Sequence, residues 1–144
     1  MSEYRTMIFV LGVLYYLPEK WRGIRFSQSF HDILKGRRGV NLNLAWFMLK
    51  KEKLLGEFGG YFYYDSLYGM SNLNEIMNCA YDYLLVRKDG TNFAYHLDAV
   101  SQKVINRFLQ EQKIEIETIQ VTAYFLSRLL DKQADTAESS NYNV

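Results

Sequence analysis

One cysteine, one proline and two histidines in 144 residues leave little room for several kinds of chemistry. A single thiol excludes an internal disulfide and any site built on several thiolates. A chain with no disulfide to keep oxidised is expected in a reducing, cytoplasmic compartment. His31 and His96 stand 65 positions apart, and no HExxH, CxxC or Asp-x-Asp pattern accompanies them. No metal and no other cofactor is therefore expected. Cys79 sits among apolar neighbours with no histidine close in sequence, so it reads as a small core residue rather than a nucleophile. The glycines of EFGGYF (57–62) fit neither a dinucleotide fingerprint nor a P-loop. No carboxylate pair stands out, and the chain is not expected to be an enzyme.

Long apolar runs are also missing. The longest, Met7–Leu17, has eleven residues, about half of what a membrane-spanning helix needs. The residues before it carry no net positive charge, which argues against a signal peptide. The run is expected to be a helix buried on nearly all sides and stopped by Pro18. No membrane association is expected.

What is present is a series of short periodic segments. Phe26, Phe30, Ile33 and Leu34 predict a helix over Phe26–Lys35, with Ser27 as cap. Leu44, Phe47, Met48, Leu54, Leu55 and Phe58 predict a second over Val40–Leu55, ended by glycines. Tyr61–Asp65 reads as a short strand. Asn72 and Glu75 have capping-box spacing ahead of a helix striped by Leu73, Ile76, Met77, Ala80 and Leu84. The runs on either side of Asp89-Gly90 predict a hairpin within 83–97. Val100, Val104, Ile105, Phe108 and Leu109 stripe one further helix, and Ile116, Ile119, Ala123, Leu126 and Leu130 stripe the last, to about Lys132. Residues 133–144 lack an apolar period and read as a disordered tail. The expected fold is thus mainly α with a small β-hairpin. It is one helix-turn-helix or winged-helix-like domain over 1–132, with a C-terminal helical pair.

Seventeen bases nearly balance sixteen acids, but the balance is not local. Residues 19–53 hold nine bases and three acids, a net +6, and the remaining 109 residues carry −5. The positive segment covers the pattern helix, Gly36–Gly39 turn, helix, which suits a helix-turn-helix. In such a module the start of the second helix meets base edges. Asn41 and Asn43 occupy that start, Arg37 and Arg38 the turn, and Lys35, Lys50 and Lys51 flank it; Asn suits adenine, Arg and Lys suit guanine or phosphate. Helix 72–84 followed by the hairpin is the helix-plus-wing order, and Arg87 and Lys88 near the wing tip are placed for phosphates. The aromatic stretch Tyr61, Phe62, Tyr63, Tyr64 and Tyr68 lies in 55–86, which holds no Lys or Arg. It therefore fits a small core or a protein interface better than a stacking platform for bases.

The stretch SFHDILKGRRG (Ser29–Gly39), with Leu34, Lys35, Gly36, Arg37 and Arg38 as its most specific part, resembles a helix-turn-helix family of Firmicutes. Members of that family are often encoded beside a RecQ-type helicase. The leading TMIFVLGVLYYL occupies the place of the family's first helix. Where the family opens its second helix with a Gln- and Thr-containing stretch, this chain has VNLNLAW. The resemblance covers about forty residues, and it implies a non-catalytic, DNA-associated accessory protein working with a helicase.

Together these features predict a non-catalytic protein that binds duplex DNA through 26–55. Its acidic, aromatic remainder would meet a protein, either a DNA-processing enzyme or a second copy through the C-terminal helices. The rival is a small adaptor or inhibitor of another protein, such as a host nuclease, with no DNA affinity.

Overall fold

The computed structural model describes residues 2–22, 24–25, 33–34, 40–65, 67, 70–89 and 94–142. Its centre is α1 (Glu3–Tyr15), capped by the Ser2 hydroxyl, which accepts from the Arg5 amide at 3.1 Å. Ten consecutive residues, Thr6–Tyr15, are buried. Consecutive burial needs cover on every side of a helix, and α3 (Leu73–Asp82), α4 (Gln102–Glu111) and α5 (Ile116–Tyr142) supply it. Gly12 lies against both α4 and α5. A Cβ there would lie 2.9 Å from Leu109 Cδ2 and 3.2 Å from Ile119 Cδ1, so only glycine fits without displacing them. After Tyr16 and Pro18 a 3-10 turn, Glu19–Trp21, buries Trp21, which meets α5 just past its middle. Its indole Nε1 donates to Asp131 Oδ1 at 2.9 Å, and Lys20 Nζ reaches the same oxygen at 2.8 Å.

Six short strands complete the described fold. β1 (Ile24–Arg25), β2 (Ile33–Leu34), β5 (Arg87–Asp89) and β6 (Ala94–His96) form an antiparallel sheet in the order β2-β1-β6-β5. In it Ile24 pairs with Leu34 on one side and Tyr95 on the other. β3 (Tyr64–Asp65) and β4 (Met70–Ser71) make a separate pair between α2 (Leu42–Lys51) and α3. The fold is mainly helical with a small antiparallel hairpin, as the periodicity predicts. In chain order α1, β1, β2, α2, β3, β4 and α3 precede the β5–β6 hairpin, whose second strand pairs with β1.

Three helices end in one way. The αL residue after each is not glycine: Lys53 after α2, Leu84 after α3 and Lys113 after α4 have φ of 61°, 62° and 56°. In each, this residue's amide bonds back three residues and the next amide five: Leu54 to Leu49, Leu85 to Ala80 and Ile114 to Leu109, all at 2.9 Å. That is the Schellman arrangement, and the following Leu54, Leu85 and Ile114 fold back on the core.

Several expectations are corrected. The helix predicted over Phe26–Lys35 does not end as one: Ile33 and Leu34 are strand, paired with β1, while 26–32 and 35–39 lie outside the described residues. Pairing with β1 supplies backbone partners that a helix would otherwise provide. α2 starts two residues later than predicted and buries Leu42, Ala45, Trp46 and Leu49, which turns Met48 outward at 38% exposure. Tyr61 belongs to a 3-10 turn, Gly56–Tyr61, and only Tyr64–Asp65 is strand. Asn72 precedes α3 but makes no capping bond; its amide donates to the Tyr61 carbonyl at 2.7 Å and its Oδ1 accepts from the Tyr63 amide. The capping oxygen for Leu73 comes from Ser71 instead. Asp89 pairs with Ala94, so four residues, 90–93, separate the strands instead of a two-residue Asp89-Gly90 turn. Finally, α5 runs to Tyr142 where a disordered tail from 133 was expected, because Ala134 is buried and Gln133 Oε1 accepts from the Asn41 amide at 2.7 Å.

Candidate functional site

The helix directly before the β5–β6 hairpin is α3. Of α3, Leu73, Met77 and Ala80 face the core. Glu75, Tyr81 and Asp82 face solvent, followed by Tyr83 at 55% and Leu84 at 77% exposure. The outward side of α3 is acidic and aromatic and has no base of its own, while Lys88 of the hairpin reaches over it, its Nζ 5.8 Å from the Tyr81 ring.

A groove of about 290 Å³ runs between the first two turns of α1 and this helix, lined by Glu3, Thr6, Met7, Tyr61, Tyr63, Asn72, Glu75, Ile76 and Cys79. Met7 is its apolar floor, and the half-buried Ile76 and Cys79 join it. Glu3 and Glu75 stand on its rims. Tyr63 closes one end, its hydroxyl 3.4 Å from Glu75 Oε1. Tyr4 of α1 and Tyr83, just after α3, meet edge to face with ring centres 5.2 Å apart. The field here is negative. Burial and then the Asp82 and Glu3 carboxylates push the Cys79 thiol above its usual range. Burial, then Glu111, does the same to the Tyr4 phenol. A thiol raised in this way is a poor nucleophile at neutral pH. The groove thus favours a cation lying on apolar and aromatic surface.

The wing's two bases are already engaged. Arg87 forks onto Asp98, Nε to Oδ1 at 2.6 Å and Nη2 to Oδ2 at 2.7 Å, and this hydrogen-bonded partner holds the Asp98 carboxyl below its usual value. Lys88 Nζ sits 3.2 Å from Asn78 Oδ1 and 5.5 Å from the Tyr95 ring. The Tyr95 hydroxyl in turn reaches Asn78 and Asn74, which ties the wing to α3.

The residues predicted to read bases are placed otherwise. Asn41 is the N-cap of α2, its Oδ1 accepting from the Leu44 amide at 2.9 Å. Asn43 is buried, and the Ser71 hydroxyl donates to its Oδ1. Lys50 Nζ donates to the Phe62 carbonyl. Lys51 is exposed, as is Lys53. Lys35, Arg37 and Arg38 lie outside the described residues. Of the six described residues, Asn41, Asn43, Lys50 and Lys51 cap or belong to α2, and Arg87 and Lys88 belong to β5 of the hairpin.

Glu3 and Glu75 belong to separate helices, so residue spacing does not reveal the groove. The one available signal was the complete absence of Lys and Arg from 55–86. Among the described residues no group of three or more His, Cys, Asp or Glu could hold a metal, and no helix is long and apolar enough to cross a membrane. Comparison with protein-family models, curated proteins and solved structures gives no match.

Proposed function

We propose that this protein is a non-catalytic binding module that docks on a basic protein surface through the α3–wing face, with the α1–α3 groove taking a lysine or arginine side chain. The observation that carries it is the chemistry of the helix presented beside the wing: exposed Glu75 and Asp82 with exposed Tyr81, Tyr83 and Leu84. Tyrosines with an apolar anchor are the residue types that dominate protein interfaces, and carboxylates repel phosphate. The test is an NMR titration of the whole chain with N-acetyl-arginine methylamide. Expected are shifts at Thr6, Met7, Ile76 and Cys79 that Glu75→Gln removes, and none with N-acetyl-glutamate. Equal shifts with both, or shifts indifferent to Glu75→Gln, would overturn the proposal.

A second reading keeps duplex DNA as partner, met through the +6 segment 19–53, and is favoured by Lys51 and Lys53 standing exposed at the end of α2. With Asn41 and Asn43 committed to capping and the core, such contact would be to phosphates and independent of sequence. The resemblance at Ser29–Gly39 would then make a helicase the accompanying protein. Gel shifts at two salt concentrations decide it: binding at low salt, weakened by Lys51→Ala with Lys53→Ala, supports DNA, and no retardation excludes it.

A further inference from the structure

α5 carries a second apolar stripe that the fold does not use. Its inward side buries Ile119, Ala123, Leu126, Leu130 and Ala134. At 100° per residue, Glu117, Val121, Tyr124, Phe125, Arg128 and Lys132 fall within an arc of about 100° on the opposite side. Val121, Tyr124 and Phe125 are exposed at 54%, 56% and 38%. Their side chains are already ordered against one another. The Tyr124 and Phe125 rings meet edge to face at 5.6 Å, and Arg128 lies 5.8 Å over Tyr124 with Nη1 3.1 Å from its hydroxyl oxygen. Tyrosine and arginine held in place before contact are what a binding anchor requires.

We propose that this stripe is a self-association surface on which two copies of the chain pair their α5 helices antiparallel, about a twofold axis between Tyr124 and Phe125. The charges select both the occupant and its direction. Glu117 and Lys132 are exposed, and among the described residues neither makes an ion pair. They stand at equal distances from the midpoint between 124 and 125. In the antiparallel pair Glu117 faces Lys132 of the second copy, and Val121 faces the stem of its Arg128. Tyr124 faces its Phe125, and every contact occurs twice. A parallel pair would set Glu117 on Glu117 and Lys132 on Lys132. The stripe is therefore its own complement, which is the condition for a twofold interface. Four turns of helix, about 23 Å from 117 to 132, make a small contact, so the pairing is weak and concentration-dependent.

Sedimentation equilibrium of the whole chain up to about 300 μM tests this. The expected result is a monomer–dimer equilibrium. Phe125→Asp weakens it at least about tenfold, and Glu117→Lys and Lys132→Glu each about fivefold. The double variant Glu117→Lys with Lys132→Glu returns to within about twofold of the natural chain, since the pairs are restored with exchanged sign. All these positions are exposed, so far-UV circular dichroism should be unchanged. A chain monomeric throughout, a dimer indifferent to Phe125→Asp, or a double variant no tighter than its singles would overturn the proposal.

Discussion

α1 and α3 pack against each other, yet they use their residues in opposite ways. α1 buries ten residues in succession and keeps almost nothing for solvent. α3 buries three and turns carboxylates and tyrosines outward. In α1 a change of side chain is a change of core, whereas in α3 half the positions leave the core untouched. Surface chemistry can vary on α3 without disturbing the fold, and the groove lies where the helices meet.

The sharpest break of that comparison is Phe9→Ala. Phe9 stacks on Phe58 at 4.0 Å and is 1% exposed, so its loss should cost about 3–5 kcal/mol. Asp82→Ala on the outward side of α3 should stay within about 0.5 kcal/mol; urea unfolding of both variants measures the contrast. Next comes Gly12→Val, which drives methyl groups into Leu109 and Ile119 and should cost about 2–3 kcal/mol in the same assay.

A change in the opposite direction comes from the helix ends. Lys113→Gly and Lys53→Gly relieve a left-handed backbone and should each stabilise by about 1 kcal/mol, read as a rise of several degrees in Tm. Leu84→Gly should gain similarly while losing the most exposed apolar side chain of the α3 end. If stability and partner binding move apart in this one variant, the division of labour between the helices is real.

Two titrations give smaller effects. Burial raises the Tyr15 phenol above its usual value, and its hydroxyl donates to the Leu85 carbonyl at 2.8 Å. Because the folded value is raised, the stabilisation is whole below about pH 10 and fades as pH rises through the folded value. Tyr15→Phe should flatten that alkaline loss, measured by unfolding at two pH values. Asp98, held low by Arg87, behaves in the reverse sense: its contribution is present above the usual carboxylate range and lost as pH falls through the folded value. Arg87→Gln should bring the Asp98 titration, followed by NMR, back up towards its ordinary position.

Much of the helical core could be read from apolar spacing alone. The stripe Ile119, Ala123, Leu126 and Leu130 and the all-round burial of α1 emerge as expected. Spacing failed where a non-local partner decides. Ile33 and Leu34 fit a helical stripe equally well, and only pairing with Ile24 and Arg25 makes them strand. Asn72 and Glu75 have capping-box spacing, but the Tyr63 amide takes the asparagine Oδ1 that a cap would need. Leu84 continues the periodic face of α3 on paper; the left-handed turn at that residue ends the helix and swings it into solvent. The candidate site was the least legible part, because its rims come from positions 3 and 75, and chain order alone does not set them side by side.

The docking of Trp21 against Asp131 has an optical consequence. The chain has two tryptophans, and both indoles are buried: Trp46 in the cluster with Phe9 and Phe62, Trp21 against the distal half of α5. Their emission should report on different parts of the molecule. With Trp46→Phe, the remaining fluorescence follows the seating of the C-terminal half of α5 alone. With Trp21→Phe it follows the centre. Fraying of the long helix and collapse of the core thus acquire separate colours, without any label being attached.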